Sequence, residues 1–82
     1  MDRDQVAKDV RDQVTAALGP DASFTDTDLL PDHGLDSLRS VELTLTLEDR
    51  FGIVFEDEEL AFENFVTVSG IVDLVHRKLG DG

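Results

Sequence analysis

The sequence predicts an all-α fold: a small four-helix bundle of three main helices plus one short helix, with a long loop between the first and second. Three observations predict it. Apolar residues recur at three- and four-residue spacing after Asp2, after Ser37 and after Thr67. The composition, 40% hydrophobic and 32% charged with only two prolines, is that of a compact helical chain and not of a disordered one. The 82 residues suffice for a single domain over 1–82 with one modest core, and contain no internal repeat or low-complexity segment.

The first helix is expected over residues 2–18. Val6, Val10, Val14, Ala17 and Leu18 make one apolar face, and Asp2 and Asp4 suit the positive N-terminal end. Gly19-Pro20 stops it, because proline lacks the amide hydrogen that a further turn would use. Residues 19–36 then lack sustained periodicity and read as a loop. Phe24, Leu29, Leu30 and Leu35 are expected to tuck inward and pin it, with a helical turn near Thr27 to Leu30.

Asp26 and Asp28 invite comparison with a calcium loop. Counted from Asp26, the sixth position is Pro31 where glycine is required, and the twelfth is Ser37 where glutamate is required, so the pattern fails. His33, Asp36 and Ser37 invite comparison with a hydrolase. Gly34 lies three before the serine, Arg39 two after it, and no strand precedes it, so a nucleophile elbow is absent. His33 is expected to shield or orient the loop.

The second helix is expected from Ser37 to about Arg50, ended by Gly52 and opened by Asp36 as N-cap. Its apolar residues sort onto two opposite sides. Leu43, Leu47 and Phe51 form one stripe, and Leu38, Val41 and Leu45 form the other. An ordinary surface helix needs only one. Glu42, Glu48 and Asp49 lie in or beside the Leu38/Val41/Leu45 stripe, and carboxylates are rarely buried unpaired, so that stripe is expected to face solvent and to meet a partner. Ser37 sits where the unpaired amides and positive dipole of the helix favour an attached anion. Nothing evident in the sequence activates its hydroxyl, so chemistry at Ser37 would be done by another protein's active site.

Ile53, Val54 and Phe55 are too short a run for a helix and are expected to drop side chains into the core. Glu56 to Glu59 then open the short helix as a solvated acidic start, with Leu60 and Phe65 turned inward. Thr67 opens the last helix, in which Val68, Ile71, Val72, Val75 and Leu79 keep helical spacing and Arg77 and Lys78 suit its negative end. Residues 80–82 are expected to fray.

A formal net charge of −12 argues against nucleic acid and against anionic membrane surfaces as partners, and favours basic protein surfaces. The absence of cysteine excludes disulfides, thiolate chemistry and cysteine zinc sites. The opening residues Met1-Asp2-Arg3-Asp4 lead into no apolar run, so no signal peptide or membrane span is expected, and the expected setting is a cytoplasmic monomer.

Gly34-Leu35-Asp36-Ser37-Leu38, followed by Val41-Glu42-Leu43, Leu47-Glu48 and Phe51-Gly52, resembles the attachment motif and second helix of acyl carrier proteins, and nearly the whole chain fits. The resemblance implies a freestanding carrier, not an enzyme. Ser37 would carry 4'-phosphopantetheine, donated from coenzyme A by a phosphopantetheinyl transferase, and Asp36 would help that transferase recognise it. Leu38, Arg39, Val41, Glu42, Leu45, Glu48 and Asp49 would form the partner-binding surface. The implied partners are an acyltransferase or acyl or aminoacyl ligase, and a ketosynthase or other thioester-using enzyme. Arg39 departs from many fatty-acid carriers, which have an acidic or neutral residue there; it either selects partners or pairs along the helix with Glu42. Glu63-Asn64-Phe65 and Thr67-Val68 are similar to carriers of polyketide and nonribosomal peptide pathways. A fatty-acid carrier, a peptidyl carrier and an unmodified acidic interaction module remain open alternatives.

Overall fold

The computed structural model describes residues 2–81. Three α-helices, α1 (Arg3–Leu18), α2 (Ser37–Phe51) and α3 (Val68–Asp81), surround a single core, and among the described residues there is no strand. Each helix begins at the side chain the sequence offers. The Asp2 carboxylate accepts from the Gln5 amide at 2.8 Å, the Asp36 carboxylate from the Arg39 amide at 2.8 Å, and the Thr67 hydroxyl from the Gly70 amide at 3.0 Å. Gly52 closes α2 in the left-handed region, φ 65° and ψ 38°, where glycine carries no steric penalty.

The core takes Val6, Val10 and Val14 from α1, Leu43 and Leu47 from α2, and Val68, Ile71, Val72, Leu74 and Val75 from α3. Phe55 and Phe65 plug the end where the connecting segments meet, edge to face at 5.4 Å between ring centres.

The long loop is ordered by the core and by backbone bonds. Leu30 and Leu35 are buried, the Leu30 amide donates to the Val66 carbonyl at 2.7 Å, and the Ser69 amide donates to the Asp26 carbonyl at 2.9 Å. Two expectations for this loop need correction. Leu29 is exposed, and the helical turn is a 3₁₀ segment at Leu30–His33, later than Thr27 to Leu30. Leu30 opens that turn and is buried, while Leu29 precedes it in extended backbone and stays outside.

The expected short helix is two 3₁₀ segments, Asp57–Leu60 and Phe62–Phe65, separated by Ala61 in extended conformation. That break removes the common face on which Leu60 and Phe65 were to turn inward together. Phe65 is buried, whereas Leu60 is exposed. Val54 is also exposed, because an extended link points successive side chains to opposite sides and Phe55 takes the inward place. The acidic run is not simply solvated: Glu59 accepts from Lys78 Nζ at 2.6 Å and from the Glu56 amide at 2.7 Å, so Lys78 braces the connecting segment instead of merely complementing the end of α3. The tail expected to fray at 80–82 is helical through Asp81, and Gly82 lies outside the described residues.

Asp9 is buried within the apolar face of α1, at 6% exposure, an unusual place for a carboxylate. It is paired rather than stranded. Arg50 of α2 donates to it at 3.1 Å, and the Gln5 side chain at 3.4 Å.

Candidate functional site

Ser37 is the first residue of α2 and is exposed. Asp36 precedes it in extended backbone, and its carboxylate takes the Arg39 amide while its carbonyl accepts from the Ser40 amide at 2.9 Å. The amides of Ser37 and Leu38 come before the first intrahelical bond of this ladder and point toward the helix end. An anion attached at Ser37 Oγ would therefore meet amide hydrogens and the positive end of the helix dipole.

Below Ser37 the two stripes of α2 separate cleanly. Leu43 and Leu47 are 1% and 0% exposed, whereas Leu38, Val41 and Leu45 are 69%, 55% and 60% exposed. Phe51 is half-buried against the core. Glu42 and Asp49 are exposed beside the outer stripe. Glu48 is different: it is half-buried, and its carboxylate accepts from the Phe55 amide at 2.8 Å, tying α2 to the segment that follows it. Arg39 makes no pair with Glu42. Its guanidinium reaches across to α1 and donates to the Ala17 carbonyl at 3.0 Å.

A groove of about 180 Å³ runs between α2 and the 3₁₀ segments, lined by Ser40, Val41, Thr44, Leu45, Glu48, Leu60 and Phe65. Its walls went unrecognised in the sequence, although a signal was present. Ser40 and Thr44 are small hydroxyl residues four apart on one side of α2, and each satisfies its hydroxyl on its own helix, at the Ser37 carbonyl (3.0 Å) and the Val41 carbonyl (2.7 Å). That leaves room for Leu60 and Phe65 to approach without filling the space. A larger cavity, about 460 Å³, lies at the opposite end of α2 beside Gly52 and Val54. Ser37 lines neither of these spaces and stands exposed at the start of α2.

The other suggestive side chains have local partners. The His33 imidazole lies 3.3 Å from the Asp28 carboxylate and tilts against Phe24, and it orients the loop as expected. Asp28 accepts from the Thr25 amide and hydroxyl, and the Thr25 amide bond is the main cause holding its carboxyl below the ordinary range. Asp26 faces Arg11 at 3.1 Å. Among the described residues no three His, Asp or Glu side chains converge to hold a metal ion.

Residues 8–75 match the family described as a phosphopantetheine attachment site. The chain belongs to the acyl carrier protein family. It is 36% identical over 81 residues to an acyl carrier protein of an Exiguobacterium species, an alignment that covers 96% of this chain and all of that one. It is 37% identical over 75 residues to that of Campylobacter hominis, covering 89% and 92%, and 34% identical over 80 residues to that of Thermotoga maritima, covering 95% and 96%. Acyl carrier proteins are carriers and not enzymes, and their cofactor is covalently attached 4'-phosphopantetheine. The family works with a phosphopantetheinyl transferase and with acyl-processing enzymes. The exposed hydroxyl, the free amides and the capped helix start at Ser37 fit such a group. No helix among the described residues is long and apolar enough to cross a membrane.

Proposed function

We propose that Ser37 is the attachment residue of this carrier and that the outer face of α2 is the surface its enzymes read. The observation that carries the proposal is the exposure of Leu38, Val41 and Leu45 directly below an exposed Ser37, on a helix whose opposite stripe is sealed in the core. When bound, the arm supplies a terminal thiol that holds an acyl group as a thioester. The chain's own residues do the rest. Asp36 fixes the start of α2 and presents Ser37, and it is also a recognition point for the transferase. Apolar contacts at Leu38, Val41 and Leu45 give affinity, and the acidic residues Glu42 and Asp49 steer basic partners. Glu48 serves this surface from its edge, since its carboxylate is committed to Phe55.

The cargo is acyl rather than aminoacyl, a reading supported by the name that full-length relatives carry. We place the protein in a specialised pathway of polyketide or hybrid type, with a ketosynthase and an acyltransferase or ligase as partners. Arg39 supports this, being a basic residue on the acidic surface that enzymes of bulk synthesis would meet. Fatty acid synthesis is the alternative, favoured by the same relatives. The test is intact-protein mass before and after incubation with coenzyme A, magnesium and a broad-specificity phosphopantetheinyl transferase. The parent gains one phosphopantetheine and Ser37→Ala gains none; gain in Ser37→Ala would move the attachment elsewhere.

A further inference from the structure

Arg39 breaks a local rule. It is the third residue of α2 after the Asp36 cap, in the first turn, where the helix dipole favours an anion and disfavours a cation. A glutamate or glutamine is the favoured residue at this position. No acidic residue occupies that turn. A residue that works against its own helix start is a candidate for a function elsewhere.

Its side chain is also treated differently from most other cations of the chain. Arg3, Arg11, Arg50 and Lys78 each face a carboxylate, on Asp73, Asp26, Asp9 and Glu59. Among the described residues Arg39 is in no ion pair; it donates to the Ala17 carbonyl in the last turn of α1, which orients the guanidinium at the negative end of that helix but gives it no carboxylate partner. The other two cations without an ion pair among the described residues, Lys8 and Arg77, lie on α1 and α3. At roughly 100° per residue, Arg39 stands about 100° around α2 from Leu38 and within about 20° of Arg50. It thus marks the α1 shoulder of the exposed face, two residues from Ser37. Arg50, on the same shoulder about three turns further on, is neutralised by Asp9.

We propose that Arg39 is a specificity-determining residue. It holds one positive charge without a carboxylate partner beside Ser37, on a face whose other exposed charges, Glu42 and Asp49, are negative. An enzyme suited to this carrier places a carboxylate opposite Arg39, and a uniformly basic docking surface is penalised there. The bond to Ala17 makes the charge a fixed feature, because the guanidinium is held before any partner arrives. This inference rests on the carrier reading and adds to it the chemistry of the partner at one point.

The experiment measures kcat/KM for arm transfer from coenzyme A to the parent, Arg39→Gln and Arg39→Glu across a range of NaCl. It uses a phosphopantetheinyl transferase whose rate on the parent rises as salt is lowered, the mark of a basic carrier-binding surface. The expected result is a rise of roughly two- to ten-fold for Arg39→Glu at low salt, a smaller rise for Arg39→Gln, and convergence of all three at high salt. The thermal midpoint of Arg39→Gln should not fall, because glutamine suits the first turn. Equal kcat/KM values, or a fall in rate together with a fall in midpoint, would overturn the proposal and leave Arg39 as a clip between α1 and α2. A parent that gains no arm from any transferase would remove the carrier reading itself; a modified parent with indifferent variants removes only the role of Arg39.

Discussion

Leu43 and Leu47 on one side of α2 and Leu38, Val41 and Leu45 on the other are the same kind of residue on the same helix, yet the first pair is sealed in the core and the second trio faces water. Hydrophobicity alone does not separate them. Their neighbours do: Glu42 and Asp49 flank the outer stripe and would be stranded if it were buried, whereas Ser40 and Thr44, beside the inner stripe, close their hydroxyls onto their own helix and can be buried at little cost. One side of α2 therefore maintains the fold, and the other stays outside the core.

The sharpest way to break this comparison is to remove volume from the inner stripe. Leu47→Ala should cost about 2–5 kcal/mol by leaving a cavity in close-packed surroundings, read as a lowered denaturant midpoint. A loss below about 0.5 kcal/mol would mean that the inner stripe does not hold the core.

The Asp9 and Arg50 pair, which joins the inner side of α2 to α1, supplies an asymmetric test. Arg50→Ala leaves a buried carboxylate with only Gln5 for company and should cost about 2 kcal/mol. Asp9→Ala frees a half-exposed guanidinium to water and should cost about 1 kcal/mol. Equal costs measured by urea unfolding would show that burial of Asp9 is unimportant.

The smallest expected effect concerns pH and the segment facing the groove. The bond from Lys78, with the Glu56 amide second, holds the Glu59 carboxyl below its ordinary 4.5. A carboxyl depressed in the folded state adds stability that is complete above its unfolded value and is lost as pH falls through the folded one. Stability should therefore decline slightly below about pH 4.5, and Lys78→Met should reduce that part of the decline. An identical acid profile in Lys78→Met would remove the brace from the account.

Much of this was legible in the sequence because it depended on local chemistry. Asp2, Asp36 and Thr67 announce helix starts, Gly52 an end, and the spacing of Val6, Val10 and Val14 a buried face. What was not legible depended on tertiary geometry. The pairing of Asp9 with Arg50 joins residues 41 apart in the chain, and the reach of Arg39 to Ala17 spans 22. Four carboxylates in a row give no sign that Glu59 alone turns to Lys78. The extended backbone at Ala61 splits the short helix, leaving Leu60 exposed and Phe65 buried against Phe55, and no glycine or proline in the segment announces that break.

The measurement that bears most directly on the two-sided helix is the thermal midpoint of Leu45→Asp taken together with its rate of phosphopantetheine attachment. The account predicts a midpoint within the equivalent of about 0.5 kcal/mol of the parent, as for an exposed site, and a rate reduced about ten-fold by loss of an apolar docking contact. An unfolded Leu45→Asp, or a folded one modified as fast as the parent, would contradict it.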